Sequence, residues 1–350
     1  MANNNVLILS AGRRVELVEA FQQALQRHFP SAHVFTTDLH ATLSAACRVS
    51  AQSFKAPRVT EPSYVDYLLK LCVKEKIGLV VPTIDTELNV LAVNKARFEA
   101  KGIHLVISDP ELVAVCRDKR ATADTYARLN IDQPKIYDKD NIKFPSFCKP
   151  YDGSCSIGAL PLYTPDMLTQ ELLDDEKNMF MELVGKEYSE YTIDAYYDRH
   201  SKLCCLVPRE RLEIRAGEVS KGATRKNYVY HYLRQRLVEL GGARGCITVQ
   251  VFANPQTQSI KALEINPRFG GGYPLAHAAG ADYPNWLIRE YLLGETLDFY
   301  EGWKNNLLML RYDAKIIVDE QLDETIPLCN MWKSELLNVH PEPKVAVDEH

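Results

Sequence analysis

A predicted β-hairpin late in the chain places the strongest constraint on its fold. Residues 246–252 alternate between apolar and more polar side chains, a pattern typical of a strand with one buried face. The turn-rich segment 254–259 follows, and after it a second apolar run leads to Glu264. If the hairpin is symmetric about Thr257, the side chain of Gln250 lies directly opposite that of Glu264.

Three oxygen donors are expected to converge on one face of this hairpin. Glu264 and Asn266 lie two residues apart and therefore share a face of their strand, which Gln250 also faces. Carboxylate and amide oxygens suit Mg²⁺. Arg268 then offers a planar guanidinium for phosphate oxygens, and Gly270–Gly272 form a turn. The segment therefore predicts a magnesium and phosphate site, rather than only the exposed polar face of a two-stranded ribbon.

The first hundred or so residues alternate between strand and helix patterns. We predict strands at 6–9, 33–37, 77–81 and 103–107, and helices at 15–27, 64–76 and 88–100. Such alternation is typical of a parallel, doubly wound sheet, whose ligands bind beyond the carboxyl ends of the strands. The segments 10–14 and 82–87, together with Asp38, are therefore expected around one cleft. A dinucleotide-binding oxidoreductase is disfavoured, because the first turn carries only Gly12 where the nicotinamide fingerprint has three glycines.

The pattern changes after the first domain. Asp109-Pro110 predicts the start of a helix that continues to Leu129, and further strands are predicted at 147–150, 179–183, 191–197 and 307–312. The segments 151–158 and 209–226 are predicted as loops. We expect a parallel α/β domain at 1–112, a second domain at 113–300 with lobes at about 120–185 and 186–300, and a strand with a polar tail at 301–350.

Composition restricts the class of partner. The chain has 350 residues, of which 46% are apolar and 25% charged, and its net charge of -5 disfavours nucleic acid as a partner. No apolar run approaches the roughly 20 residues that cross a bilayer, and the first residues do not resemble a secretory signal. The nine cysteines are scattered without a metal-type pair. These features predict a cytoplasmic protein with no membrane partner.

Four further residues are suited to binding a nucleotide, although each is ordinary in isolation. Lys149 precedes a loop rich in glycine and serine, whose backbone N–H groups can surround phosphates, and Lys119 lies thirty residues upstream. Glu182 ends an apolar strand where exposed backbone can read an adenine edge. Glu190 follows in a second strand, where a carboxylate can accept ribose hydroxyls.

The order of these motifs resembles that of the ATP-grasp superfamily, most closely the branch of the carbamoyl-phosphate synthase large subunit. A lysine, a second lysine with a glycine-rich loop, a strand that ends in glutamate and the pattern Gln…Glu-x-Asn-x-Arg occur in that sequence over roughly residues 1–312. The resemblance implies an α/β protein in which a parallel N-terminal domain precedes α+β grasp lobes that hold ATP between them. It also implies that 208–222 is the active-site loop of this branch.

The resemblance implies a role for each matching position. ATP would be bound by Lys119, Lys149, Gly153, Ser154, Gly158, Glu182, Leu183, Val184 and Glu190. Glu187 is an alternative to Glu190 for the ribose. The metal ion, Mg²⁺ or as an alternative Mn²⁺, would be held by Gln250, Glu264 and Asn266. The catalytic residues would be Arg209, Lys221 and Arg268.

The reaction implied is an ADP-forming ligation, in which a small-molecule carboxylate is activated as an acyl phosphate and transferred to an amine. Two alternatives stay open: the synthetase half of a split carbamoyl-phosphate synthase that phosphorylates bicarbonate, and a nucleotide-binding partner or sensor without turnover. The expected partners are a carboxylic acid and an amine, and the resemblance makes a homodimer a reasonable expectation.

Overall fold

A computed structural model describes residues 3–153, 158–215 and 217–318 of the chain. The protein consists of a compact unit at 1–313 and a second unit that begins at residue 314. The described part of the second unit, residues 314–318, contains no helix or strand. The predicted polar tail falls mainly on residues outside the described ones.

The N-terminal domain is a parallel sheet covered by helices on both faces. The described residues form its strands β1 (Asn5–Ile8), β2 (Val34–Asp38), β3 (Gln52–Lys55), β4 (Ile77–Val81) and β5 (His104–Leu105). Their order is β3-β2-β1-β4-β5, and every pairing is parallel. The surrounding helices are α1 (Val15–His28), α2 (Ala45–Val49), α3 (Tyr64–Lys74) and α4 (Asp85–Glu99).

The doubly wound parallel sheet predicted from the sequence is confirmed. Successive residues of β1 enter different cores, with Val6 and Ile8 packing on the side of Phe21 and with Leu7 packing on the side of Leu68. A strand buried on both faces must be apolar throughout, which explains why the pattern could be recognised. The edge strand β3 was not predicted, because its residues are only partly buried and carry no alternation.

The small lobe has an antiparallel sheet with the strand order β6-β9-β7-β8. These strands are β6 (Ile136–Tyr137), β7 (Ser146–Pro150), β8 (Leu160–Leu162) and β9 (Asn178–Glu182), and the short helix α7 (Gln170–Asp174) leads into β9. The predicted single helix from Asp109 to Leu129 is wrong, since two helices occupy this segment: α5 (Pro110–Arg117) and α6 (Lys119–Arg128). Asp118 interrupts them with an extended backbone and accepts a hydrogen bond from the Arg120 N–H at 2.9 Å. An aspartate that caps a new helix competes with continuation of the preceding one.

The large lobe has an antiparallel sheet with the strand order β14-β13-β10-β11-β12-β15. Its strands are β10 (Ser189–Tyr197), β11 (Leu203–Arg215), β12 (Glu218–Thr224), β13 (Gly245–Ala253), β14 (Ile260–Asn266) and β15 (Leu308–Leu310). The helices α8 (Tyr228–Leu237), α9 (Tyr273–Ala278) and α10 (Tyr283–Leu292) accompany them. The predicted loop at 209–226 is wrong, because β11 and β12 pair over most of that segment. Its alternating charges form lateral ion pairs, such as Arg225 with Glu210 at 2.8 Å, which suit a strand as well as a loop.

The N-terminal sheet and the large lobe share one hydrophobic core. Phe21 of α1 packs edge-on against Phe269, with the ring centroids 6.0 Å apart. At the rim of this contact, Arg27 donates a hydrogen bond to Asp282 at 2.8 Å. Tyr196 and Trp286 lie in the same core. The helices of the described residues are all too short or too polar to cross a membrane.

The ion pair between Arg209 and Asp194 is the most buried one in the described part of the large lobe, with side-chain exposures of 1% and 0%. We expect Asp194→Ala to lower the free energy of unfolding by about 3–5 kcal/mol, because it leaves the Arg209 charge buried without a partner. Urea unfolding followed by circular dichroism measures the change. In the control, Asp66→Ala removes the exposed pair with Arg97 and changes the stability by less than about 1 kcal/mol. Equal effects of the two substitutions would contradict the assignment.

Candidate active site

A large cavity of about 670 Å³ lies where the N-terminal sheet, the small lobe and the large lobe meet. The N-terminal domain lines it with residues that follow β1 and β4. The strand order of the parallel sheet reverses between β1 and β4, and ligands of doubly wound sheets bind at this kind of crevice. Asp38 was also expected here but does not line the cavity, because it ends β2, away from the reversal. Its carboxylate instead accepts the Gly12 N–H at 2.9 Å.

The predicted hairpin is formed by β13 and β14, and the predicted pair is confirmed. Gln250 lies opposite Glu264, and Thr248 lies opposite Asn266, on the face that lines the cavity. The register shifts beyond Gln250, where Val251 pairs with Ala262 and a bulge leaves Leu263 unpaired. Symmetry about Thr257 therefore holds only for the half of the hairpin that carries the predicted site.

The side chains of Gln250, Glu264 and Asn266 place oxygen donors on the same wall of the cavity. The Asn266 side-chain amide donates to Glu264 Oε1 at 3.0 Å, so these two groups are within reach of one ion. Within the described residues no group of three or more His, Cys, Asp or Glu side chains can hold a metal. One carboxylate with two amides is a set of hard oxygen donors, which fits Mg²⁺ shared with phosphates better than Zn²⁺.

Arg268 lies two residues beyond the end of β14 and is held by the N-terminal domain. Its Nε and Nη2 atoms donate to the two carboxylate oxygens of Asp85 at 2.8 and 2.5 Å. Asp85 is the first residue of α4. On the other side, the Thr248 hydroxyl donates to the Arg268 carbonyl at 2.9 Å. The sequence placed Asp85 only near the cleft, and no local signal could have identified a partner 183 residues away.

The turn Gly270–Gly272 is packed against Arg209. A Cβ atom on Gly272 would lie 2.2 Å from Arg209 Nη1, and one on Gly270 would lie 3.1 Å from Thr248 Oγ1. Arg209 lines the cavity from β11, as a site residue should, but it is buried and Asp194 accepts from its Nε at 2.6 Å. Glycine is needed in this turn for close approach of the backbone to a buried guanidinium.

Lys221, the third predicted catalytic residue, lies away from the cavity that Arg209 and Arg268 line. It is on β12, and its ammonium donates to Glu213 at 2.6 Å with about half of each side chain exposed. Lys221 is not among the residues that line the cavity. The predicted active-site loop that would carry Lys221 is instead formed by paired strands.

Lys119 and Lys149 form a positive end of the cavity. The Lys119 ammonium donates to the Gly153 carbonyl at 2.5 Å. Burial, reinforced by the neighbouring Lys119 charge, lowers the pKa of Lys149 to about 8, and burial also lowers the pKa of Lys119. Neither ammonium has a carboxylate within 4 Å among the described residues, so both are suited to an anionic ligand. Ser154 lies outside the described residues, and Gly158 is described but does not line the cavity.

An apolar slot adjoins this positive end. Its walls include Phe147, Met181, Phe252 and Leu263, the residue at the bulge. Residues 182–184 also line the cavity.

Two glutamates flank the slot at its polar ends. Glu182 pairs with Lys261, and its second carboxylate oxygen accepts the Lys135 N–H at 3.3 Å. Glu190 lines the cavity and pairs with Arg211. Glu187, the alternative to Glu190, is exposed and does not line the cavity, so the geometry favours Glu190.

Two family models match the sequence. Residues 6–106 match the model described as PylC-like, N-terminal domain, and residues 174–306 match the model described as ATP-grasp in the biosynthetic pathway with Ter operon. A search among curated proteins found no match.

Solved structures share the fold over most of the chain. The biotin carboxylase domain of 2-oxoglutarate carboxylase from Hydrogenobacter thermophilus, solved with MgADP, ADP and bicarbonate, matches with a TM-score of 0.68 and 13% identity over 87% of this chain and 73% of that one. L-amino acid ligase from Bacillus licheniformis matches at 0.65 and 12%, over 86% and 77% of the two chains. N5-carboxyaminoimidazole synthetase from Staphylococcus aureus, in complex with ADP, matches at 0.62 and 13%, over 84% and 78%.

The contact between Gly272 and Arg209 can be tested directly. We expect Gly272→Ala to destabilise the protein by about 1–3 kcal/mol, because its Cβ would overlap Arg209 Nη1 at 2.2 Å and Val219 Cγ1 at 2.7 Å. Gly241→Ala is the matched control, since no heavy atom lies within 4 Å of its Cβ. Thermal unfolding of both variants measures the difference. A Gly272→Ala variant as stable as Gly241→Ala would show that the turn is not packed as described.

Proposed function

Because the chain has an ATP-grasp fold behind a PylC-like N-terminal domain, we propose that it is an ATP- and Mg²⁺-dependent ligase joining a small carboxylic acid to an amine. The observation that carries this proposal is the convergence of three groups in one cavity. These groups are the oxygen trio Gln250, Glu264 and Asn266, the paired cations Lys119 and Lys149, and the guanidinium of Arg268.

The nucleotide would occupy the apolar slot and the positive end next to it. The apolar residues Phe147 and Leu263 would contact a flat adenine, with residues 182–184 beside it. Glu190 would accept ribose hydroxyls. Lys119 and Lys149 would neutralise the α- and β-phosphates. The backbone at Gly153 lies close to this pair of lysines, because its carbonyl accepts a hydrogen bond from Lys119.

The oxygen trio would hold Mg²⁺ between the protein and the triphosphate. When bound, the ion would withdraw charge from the β- and γ-phosphate oxygens. Glu264 supplies the only carboxylate of the trio, and the amides of Gln250 and Asn266 complete a weakly charged set. Such a set leaves room for phosphate oxygens as further ligands.

The chemistry requires activation, because a carboxylate cannot lose oxide when an amine attacks it. A carboxylate oxygen would attack the γ-phosphorus, the bond to the β–γ bridging oxygen would break, and ADP would leave. The amine would then attack the acyl carbon, and phosphate would leave with the former carboxylate oxygen. Arg268, held by Asp85, would stabilise the charge on the transferring phosphoryl group.

One matched structure supports an organic acid, and two support bicarbonate as an alternative. The name of L-amino acid ligase refers to amino acids. The name of N5-carboxyaminoimidazole synthetase refers to a carboxyl group joined to nitrogen, and the biotin carboxylase domain was solved with bicarbonate, whose carboxylate group can be phosphorylated in the same way. Bicarbonate-dependent release of ADP without any organic acid would favour this alternative.

The role of Glu264 is tested by trapping the acyl phosphate with hydroxylamine, which forms a hydroxamate whatever the natural amine is, and the hydroxamate is detected as its coloured ferric complex. We expect Glu264→Ala to lower hydroxamate formation and ADP release at least about 100-fold, because it removes the carboxylate of the metal site. The control is Glu239→Ala, an exposed glutamate away from the cavity. If Glu264→Ala retains the activity of Glu239→Ala, the proposed metal site is wrong.

The lowered pKa of Lys149, about 8, predicts that nucleotide binding takes up a proton. Phosphates beside the ammonium would raise its pKa again, so above pH 8 a largely neutral Lys149 becomes charged. We expect an uptake of roughly half a proton or more on MgADP binding at pH 8.5 and much less at pH 6.5. Calorimetry in buffers of different ionisation enthalpy measures this uptake.

The control for this measurement is Lys101→Met, an exposed lysine outside the cavity, which should keep the uptake. Lys149→Met should abolish it. Equal uptake by the Lys149→Met variant would mean that another group takes the proton.

A further inference from the structure

Arg14 is a cavity-lining cation that the proposed nucleotide and metal sites do not use. It follows β1 at the point where the strand order of the parallel sheet reverses, opposite the residues that follow β4. Its Nη2 atom donates to the Thr83 carbonyl at 2.8 Å, which holds the guanidinium against the wall of the crevice. The side chain is therefore positioned at the place where this class of sheet binds its ligands.

No carboxylate neutralises Arg14 within 4 Å in the part of the chain that the structure describes, although three lie nearby. Asp85 is paired with Arg268 through both of its oxygens. Glu218 accepts from Arg311 at 2.9 Å and also faces Arg13.

The third carboxylate, Glu87, is turned away into the interior. It accepts from the Ser10 hydroxyl at 2.7 Å, from the Thr83 N–H at 2.7 Å and from the Tyr64 hydroxyl at 3.1 Å. All three neighbouring acids thus have other partners, and Arg14 keeps unused donors that face the cavity.

The electrostatic surroundings of Arg14 also favour an anionic ligand. Burial, together with repulsion from Arg268, lowers the pKa of Arg14 to about 10. A guanidinium that is both desolvated and beside another cation gains more from an incoming anion than an exposed one does. Arg13 provides the contrast within the same turn, because its side chain is 84% exposed and does not line the cavity.

We propose that Arg14 binds a second carboxylate of the substrates, one that does not react. This inference rests on the proposed function, in which the reacting carboxylate lies beside Arg268. A second carboxylate a few bonds away would then lie against Arg14, which adjoins Arg268 at the N-terminal side of the cavity. The substrate class is accordingly a dicarboxylic acid, or an acid joined to an amino acid that carries its own carboxylate.

The test measures hydroxamate formation with matched acids that differ only in the second carboxylate. The pairs are succinate with succinamate, and glutarate with glutaramate. We expect the native protein to prefer the dicarboxylate, and Arg14→Gln to raise its KM at least about 10-fold with little change in kcat, because a uniform binding contact is lost. Arg14→Lys should recover part of the preference, and Arg13→Gln should keep all of it.

A second arm distinguishes the acid from the amine as the source of this carboxylate. A monocarboxylic acid that gives hydroxamate is combined with glycine or with glycinamide. If the amine supplies the carboxylate, the native protein prefers glycine, Arg14→Gln loses that preference, and the hydroxylamine reaction is unchanged.

Two kinetic outcomes overturn the proposal. In the first, neither arm shows a preference that depends on Arg14. In the second, Arg14→Gln raises the KM for ATP and leaves the acid and amine preferences intact, which would assign Arg14 to the γ-phosphate.

A binding measurement separates failure of this proposal from failure of the proposed function. The protein is saturated with MgADP to occupy the phosphate end, and thermal unfolding is recorded with succinate, succinamate, glycine and glycinamide. Protection by one of the carboxylates over its amide that is present in Arg13→Gln and absent in Arg14→Gln supports the subsite, even if no acid is turned over. Equal protection by the carboxylate and the amide of both pairs in all variants overturns it.

Discussion

The bidentate ion pair between Arg268 and Asp85 joins the two halves of the candidate active site. Arg268 lies two residues beyond the strand that carries Glu264 and Asn266, and Asp85 begins the helix after β4 of the parallel sheet. Two hydrogen bonds of 2.8 and 2.5 Å fix the orientation of the guanidinium as well as its position. The strand that carries the proposed metal ligands is therefore joined to the crevice of the parallel sheet.

A second, fully buried ion pair packs against the glycine turn that follows Arg268. Arg209 and Asp194 lie on adjacent strands of the large sheet, and the backbone of Gly272 packs directly on the guanidinium. Burial of an ion pair is costly unless its geometry is good, and here the carboxylate accepts from two nitrogens of the arginine. Arg209, a predicted catalytic residue, lines the cavity and also determines the path of the turn that follows Arg268.

Local pattern was sufficient for several parts of this protein. The strands of the parallel sheet are buried on both faces and read as apolar runs, and the spacing of Gln250 and Glu264 around a polar turn predicted their pairing correctly. Pattern failed where two structures share one composition. The charged alternation after Arg209 suits a loop or a paired strand, and the apolar spacing around Asp118 suits one helix or two. The bulge at Leu263 left no signal, because it adds a single residue to an apolar run.

The sequence by itself determined the class of fold and the pairing of Gln250 with Glu264, because both depend on periodicity or on the spacing around a short turn. Only the tertiary structure decided which charges compensate one another. Asp85 and Arg268 are 183 residues apart, and Asp194 and Arg209 meet through the register of two strands. Among the described residues Arg14 has no ion-pair partner, because the nearby carboxylates are bound by other groups, such as Asp85 by Arg268 and Glu218 by Arg311. Charge pairing acts over distances in space, and distances along the chain carry almost no information about it.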